Sequence, residues 1–144
     1  MKRDRLLDVL FLVETWHDSD STCLCRLRAD GFQTVDRPRP RARDDTLAQN
    51  LGGVAVISFT GARLQQVDLG VAPVSFELLC VRVISGTSSY VVAVIYRPCS
   101  IAVSTDFYNE LADVLDHLAT FAEPDSIVGD LNVRLDRVGD LAAT

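Results

Sequence analysis

The chain is poor in the residues that staple a small fold. Four cysteines occur in 144 residues, Cys23, Cys25, Cys80 and Cys99, and none belongs to a C-x-x-C pair. The two histidines, His17 and His117, stand at no zinc-ligand spacing, and Cys23-x-Cys25 is too tight for a usual zinc knuckle, so no zinc-held fold is expected. The thiols are expected to be reduced and partly buried. Apolar runs such as Val91–Ile95 are short against the ~20 residues that span a bilayer, so no membrane partner is expected. The basic start Met1-Lys2-Arg3-Asp4-Arg5 leads into an apolar run that is broken by Asp8, stops at Glu14 and meets no small-residue cleavage site. A secretory signal is therefore not expected, and the expected location is intracellular, nuclear or cytoplasmic. Basic charge is also short: 14 Lys and Arg against 20 Asp and Glu give a net charge of −6. That disfavours gripping nucleic acid through phosphates alone, less so where bound metal offsets a carboxylate cluster. The absence of a G-x-G-x-x-G or P-loop pattern argues against a nucleotide-binding α/β domain.

What is present suffices for one domain, since 48% of residues are apolar. Leu6–Val13 reads as a nearly continuous strand buried on both faces. Asp18-Ser19-Asp20-Ser21 offers helix caps, a short helix follows over Ser21–Ala29, and Gly31 lies just beyond it. Asp36–Asp45 holds Pro38, Pro40, Arg37, Arg39, Arg41 and Arg43 without periodicity, and predicts an exposed, flexible Arg/Pro loop over 36–46. Gly52-Gly53 opens a strand over Val54–Phe59, and Arg63–Leu69 is expected to pair back on it as a hairpin. Phe76–Ile84 and Tyr90–Tyr96 are strands on either side of the Ser85-Gly86-Thr87-Ser88 turn, the second rich in Val and Ile. Phe107, Leu111, Val114, Leu115, Leu118 and Phe121 recur at helical spacing, with Ser104 or Thr105 as cap and Pro124 as stop. Asp125–Val128 is a last short strand into Gly129-Asp130. Strand, helix, several strands, helix, strand is not doubly wound alternation. It suits an α/β layered sandwich with an antiparallel middle.

Two acids follow apolar, β-prone stretches: Glu14 in Glu14-Thr15-Trp16, and Asp130 in Ile127-Val128-Gly129-Asp130-Leu131-Asn132. Strands ending at one sheet edge would deliver both carboxylates to one place, the arrangement that holds Mg²⁺ beside a phosphate. The ordinary alternative for Glu14 is a strand-end acid facing water. Asp130 and Asn132, two apart, would share a side in extended chain and hold a water and a phosphate oxygen together; the alternative is a simple G-D-x-N turn. Tyr96-Arg97-Pro98 ends the central strand, where Tyr96 and Arg97 could bind a phosphate or simply form a rim. Trp16 and His17 could line a cleft or cover a sheet edge.

In order, Asp8–Trp16, Gly52–Val56, Val94–Pro98, Phe107–Leu118 and Ile127–Asp136 resemble the endonuclease/exonuclease/phosphatase superfamily. The nearest likeness is the apurinic-endonuclease-like domain that precedes reverse transcriptase in non-LTR retrotransposons. The resemblance implies an α/β fold, a partial four-layer α/β/β/α sandwich of mixed, largely antiparallel sheets. It implies Mg²⁺- or Mn²⁺-dependent phosphodiester cleavage of DNA, with a reverse transcriptase domain as partner in the parent polyprotein. The residues it assigns are Glu14 for the metal, Tyr96, Asp130 and Asn132 for catalysis, and Arg97, Asn132 and Trp16 for substrate binding. The family's first strand with its asparagine, and its late Ser-Asp-His block, have no counterpart in residues 1–144, and neither His17 nor His117 matches the family histidine. The expectation is a single partial domain with little or no hydrolysis alone and a tendency to self-associate through exposed sheet edges. The alternatives are a non-catalytic remnant or interaction module of this fold, or a phosphatase acting on small phosphate esters.

Overall fold

The computed structural model of the chain describes residues 9–15, 21–38, 52–59, 61–98 and 103–133. These form β1 (Val9–Val13), α1 (Thr22–Ala29), β2 (Gln33–Arg37), β3 (Val54–Ser58), β4 (Arg63–Gln66), β5 (Glu77–Ser85), β6 (Ser88–Tyr96), α2 (Thr105–Leu118) and β7 (Asp125–Asp130). One sheet has the order β1-β3-β2 and the other β4-β5-β6-β7. All pairings are antiparallel except β6 with β7, which are parallel and joined through α2. A parallel pair cannot be closed by a tight turn, so the crossover helix is a geometric necessity.

The sheets meet face to face. Val54 and Val56, with Phe11, Val13 and Val35 beside them, pack against Leu79, Val81, Val83, Val92, Val94 and Tyr96. Strand alternation sends Leu78, Cys80, Val91, Ala93 and Ile95 to the opposite face, where Phe107, Val114 and Leu118 of α2 cover them. Burial there pushes the Cys80 thiol up to about 11, so it stays protonated. On the outer face of the first sheet, Arg28 of α1 binds Thr34 Oγ1 at 2.5 Å and Asp36 Oδ1 at 2.8 Å, residues in register with Ile57 and Ala55. Helix, sheet, sheet and helix thus make the expected α/β/β/α sandwich.

Both helices start at serine side chains. Ser21 Oγ accepts from Leu24 N–H and Ser104 Oγ from Phe107 N–H. On α2 the buried stripe is Phe107, Val114 and Leu118, while Leu115, expected on the same face, is 49% exposed. The helix ends at Leu118, short of Phe121, whose ring instead lies under the Arg82 guanidinium. Of the cysteines, Cys80 is buried as expected, but Cys23 and Cys25 are exposed on the solvent side of the short α1.

Other expectations are corrected. Arg63–Gln66 does not return on β3 but pairs with β5 in the other sheet. Both edges of β3 are already taken, by β1 and β2, so no hairpin position is left. Strand β2 was not foreseen, and its last residues, Asp36 and Arg37, were expected in the Arg/Pro loop; residues 39–46 lie outside the described set. Arg37 donates to Leu78 O at 2.9 Å and Gln33 accepts from Leu64 N–H at 2.9 Å, stitching the sheets along that rim. The β1 strand lies at a sheet edge and is only half-buried, so the doubly buried strand of this sheet is β3.

Gly129 is required where β7 meets β6. Its φ is +134°, and a Cβ there would stand 1.9 Å from the Ile95 carbonyl oxygen. Backbone cannot yield as a side-chain tip can, so Gly129→Ala should destabilise the fold by at least about 2 kcal/mol in urea denaturation. A second link fixes the approach to β7. Arg82 Nε donates to Glu123 Oε1 at 2.9 Å, and Ser89 Oγ donates to Glu123 Oε2 at 2.5 Å. The Ser89 hydroxyl first, then Arg82, holds the Glu123 carboxyl below the ordinary glutamate value. A lowered folded-state pKa stabilises above the unfolded value, and this contribution is lost as pH falls through the folded one. The urea midpoint should therefore drop on acidification through the carboxylate range, and less steeply for Glu123→Gln.

Candidate active site

The site forms where three strands end. On β6, Tyr96 is in register with Glu77 of β5 on one side and with Asp130 of β7 on the other. Alternation puts all three on the inner face, toward the first sheet. There β1, the edge strand, lies against β6 and β7. Glu14 follows β1 directly, and the Tyr96 hydroxyl donates to its Oε1 at 2.8 Å. The sequence separation between Glu14 and Asp130 is thus closed through one tyrosine.

Two site residues adopt left-handed backbone although neither is glycine: Glu14 at φ 52° and Asn132 at φ 49°. For glutamate this costs roughly 1 kcal/mol. A hydrogen bond from a buried phenol to a carboxylate returns roughly 1.5–3 kcal/mol, so the bond outweighs the strain. Among the described residues, Glu14 Oε2 and Asp130 Oδ2 have no hydrogen-bond partner.

Asp130 and Asn132 do come together, though not by the extended alternation expected. The β7 strand stops at Asp130, and the Asn132 backbone N–H donates to Asp130 Oδ1 at 2.9 Å. The chain has turned, and the aspartate caps the turn. The Asn132 Nδ2 donates to Arg97 O at 2.5 Å, so one of its amide hydrogens is committed to the protein.

Arg97 sits differently from the expected phosphate contact. It is 3% exposed. Its Nε donates to Leu131 O at 2.6 Å, its Nη2 to Asn132 O at 2.5 Å, and its guanidinium lies 5.5 Å from the centroid of the Phe107 ring. One position past Tyr96, it points to the α2 side of its sheet, away from Glu14. Arg97 and Asn132 bind each other reciprocally, which fixes the turn that presents Asp130. Trp16, the other expected substrate contact, lies outside the described residues, as does His17. His117 lies on α2 with its Nδ1 2.7 Å from Asp113 O, on the far side of the sheet from Tyr96.

Sequence reasoning missed Glu77 and Thr15. Glu77 Oε1 accepts from Gly53 N–H at 2.9 Å, and Thr15 N–H donates to Gly53 O at 3.2 Å. The sequence signal for Glu77 was a charge opening a mostly apolar strand that also carries Arg82. Among the described residues no three His, Cys, Asp or Glu side chains converge as a metal cage. The donors on offer are carboxylate oxygens, which suit Mg²⁺ or Mn²⁺ held by one or two side chains with water and phosphate completing the shell.

Solved structures of similar shape were found. The catalytic domain of human Nocturnin, with a bound sulfate anion, is 20% identical, covers 88% of this chain and 52% of its own, and has a TM-score of 0.58. A humanized D. rerio TDP2 carrying 14 mutations is 14% identical, with 93% of this chain and 52% of its own covered and a TM-score of 0.58. The 3' phosphatase NExo (D146N) from Neisseria bound to product DNA hairpin is 16% identical, with 90% and 49% covered and a TM-score of 0.49. The two-sheet α/β sandwich is the fold this chain shares with the Nocturnin domain and TDP2. The chain spans about half the length of these structures. No protein-family model and no curated protein matches the sequence. No helix among the described residues is long and apolar enough to cross a membrane.

Glu14→Gly and Glu14→Ala both delete the carboxylate, yet only glycine takes φ 52° without strain. The glycine variant should be the more stable of the two by up to about 1 kcal/mol in thermal or urea melts.

Proposed function

We propose that this chain carries part of a divalent-metal phosphodiesterase site acting on DNA, of the retroelement endonuclease type. The observation that carries the reading is the Tyr96–Glu14 hydrogen bond, 2.8 Å long, on the rung that also holds Asp130. An acid just past β1 bonds a phenol on β6, and a second acid on β7 stands in register with that phenol on the inner face. Mg²⁺ or Mn²⁺, when bound, supplies charge stabilisation for the phosphoryl and leaving oxygens. Glu14 is the residue to hold it. The Tyr96 hydroxyl has a single hydrogen, given to Glu14 in the free chain, and would turn it to a phosphate oxygen when substrate is bound. Asp130, exposed at its strand end, orients or deprotonates the attacking water, and Asn132 hydrogen-bonds that water or the phosphate. Arg97 supports the turn that presents Asp130 and Asn132 rather than meeting the phosphate. Trp16, one residue beyond Thr15, remains the candidate for lining the DNA cleft. The sulfate bound by the Nocturnin domain, an anion of phosphate-like shape, accords with an oxyanion ligand for this fold.

Turnover is a separate matter. In-line attack also needs an acid for the leaving oxygen, and the histidine that the family resemblance implies for proton handling has no match at His17 or His117. The chain alone is therefore expected to hold metal without hydrolysing DNA efficiently, with a reverse transcriptase domain as its expected partner in a parent polyprotein. The β1 and β7 edges beside the site are the surfaces where self-association of the isolated chain would occur.

The test is Mn²⁺ binding followed by electron paramagnetic resonance, with Mg²⁺-dependent plasmid nicking in parallel. The chain should bind Mn²⁺, Glu14→Gln should weaken binding by about tenfold or more, and nicking should stay at background. Unchanged affinity in Glu14→Gln would remove the metal assignment. Robust nicking, abolished by Asp130→Ala, would overturn the inactivity of the isolated chain.

A further inference from the structure

Ladder pairing of β1 with β3 ends at Val13 opposite Val54, one residue before Glu14. The strained residue is therefore not held by regular sheet bonds. What holds its backbone is a relay. Thr15 N–H donates to Gly53 O at 3.2 Å, and Thr15 Oγ1 donates to Gly52 O at 3.5 Å. Gly53, buried and itself at φ 94°, donates its N–H to Glu77 Oε1 at 2.9 Å. The Glu14 side chain is held separately, by Tyr96. Glu77 and Tyr96 are register partners, so both restraints on Glu14 arise from a single rung of β5 and β6.

We propose that Glu77 is a positioning residue: through Gly53 and Thr15 it fixes the left-handed turn at Glu14 and so aims that carboxylate at the Tyr96–Asp130 face. The route from its carboxylate to the proposed metal site runs through the backbone it holds. The geometric statement stands on this structure alone, and only its consequence for metal affinity rests on the function proposed above. The relay needs an acceptor oxygen at position 77 and no negative charge. Glutamine retains that acceptor, and leucine removes it at similar size.

Amide hydrogen exchange on the metal-free wild type, Glu77→Gln and Glu77→Leu, with Mn²⁺ affinity measured on the same proteins, tests this. Glu77→Leu should speed exchange at Gly53 and Thr15 by at least about tenfold, the effect of one lost charge-assisted bond, while Val92 and Val94 in central β6 keep wild-type protection. Mn²⁺ affinity should fall with it by about the same factor, and Glu77→Gln should stay close to wild type in both measurements. Unchanged protection of Thr15 in Glu77→Leu overturns the proposal. So does failure of that variant to fold, or equal loosening of Val92, because Glu77 would then brace the sheet as a whole. Loss in Glu77→Gln as complete as in Glu77→Leu overturns it too. If the wild type binds no Mn²⁺, the metal reading falls, while the exchange result still decides the positioning.

Discussion

The pairing of β6 on both edges is the constraint on which this structure depends. Antiparallel to β5 and parallel to β7, and covered by the second sheet on one face and by α2 on the other, β6 has every edge and face in use. Residues Val91–Ile95 leave no side chain for water, so the segment has one place to go. Its register with both neighbours then determines what stands at its C-terminal end, where Glu77, Tyr96 and Asp130 lie abreast.

Joining β7 to β6 needs two unusual features. Gly129 brings the backbones together where a Cβ would collide with a carbonyl. Arg97 then takes the carbonyls of Leu131 and Asn132, while the Asn132 side chain returns a bond to Arg97. Burying an arginine is costly unless its donors are satisfied. Here they are used to hold a turn whose own backbone is strained at Asn132, and that turn sets the position of Asp130.

Strain is concentrated in the same region of the molecule. Glu14 and Asn132, the non-glycine residues with positive φ among those described, both flank Tyr96. Each is held by neighbouring hydrogen bonds that outweigh its conformational cost, Glu14 by Tyr96 and the Glu77–Gly53–Thr15 relay, Asn132 by Arg97. A strained backbone held from several directions is characteristic of a pre-organised site.

Much of this was legible in the sequence. Apolar runs and cap residues located β1, β3, β5, β6, both helices and the β7 strand, and the E-T-W, Y-R-P and G-D-x-N blocks pointed to Glu14, Tyr96 and Asp130. Those signals are local: side-chain period, caps and turn residues are written in consecutive positions. Other features had no local signature. Whether Arg63–Gln66 returns on β3 depends on β3 having no edge left. Arg97 faces α2 because it follows Tyr96 on an alternating strand whose other face carries that helix. Asp130 and Asn132 meet through a turn that Arg97 stabilises from another strand. Glu77 matters because antiparallel pairing sets it beside a residue 19 positions later in the chain. The order of elements and the types of reactive side chain belong to the sequence. Their register, direction and mutual support were decided by which edges and faces remained open as the two sheets closed on each other.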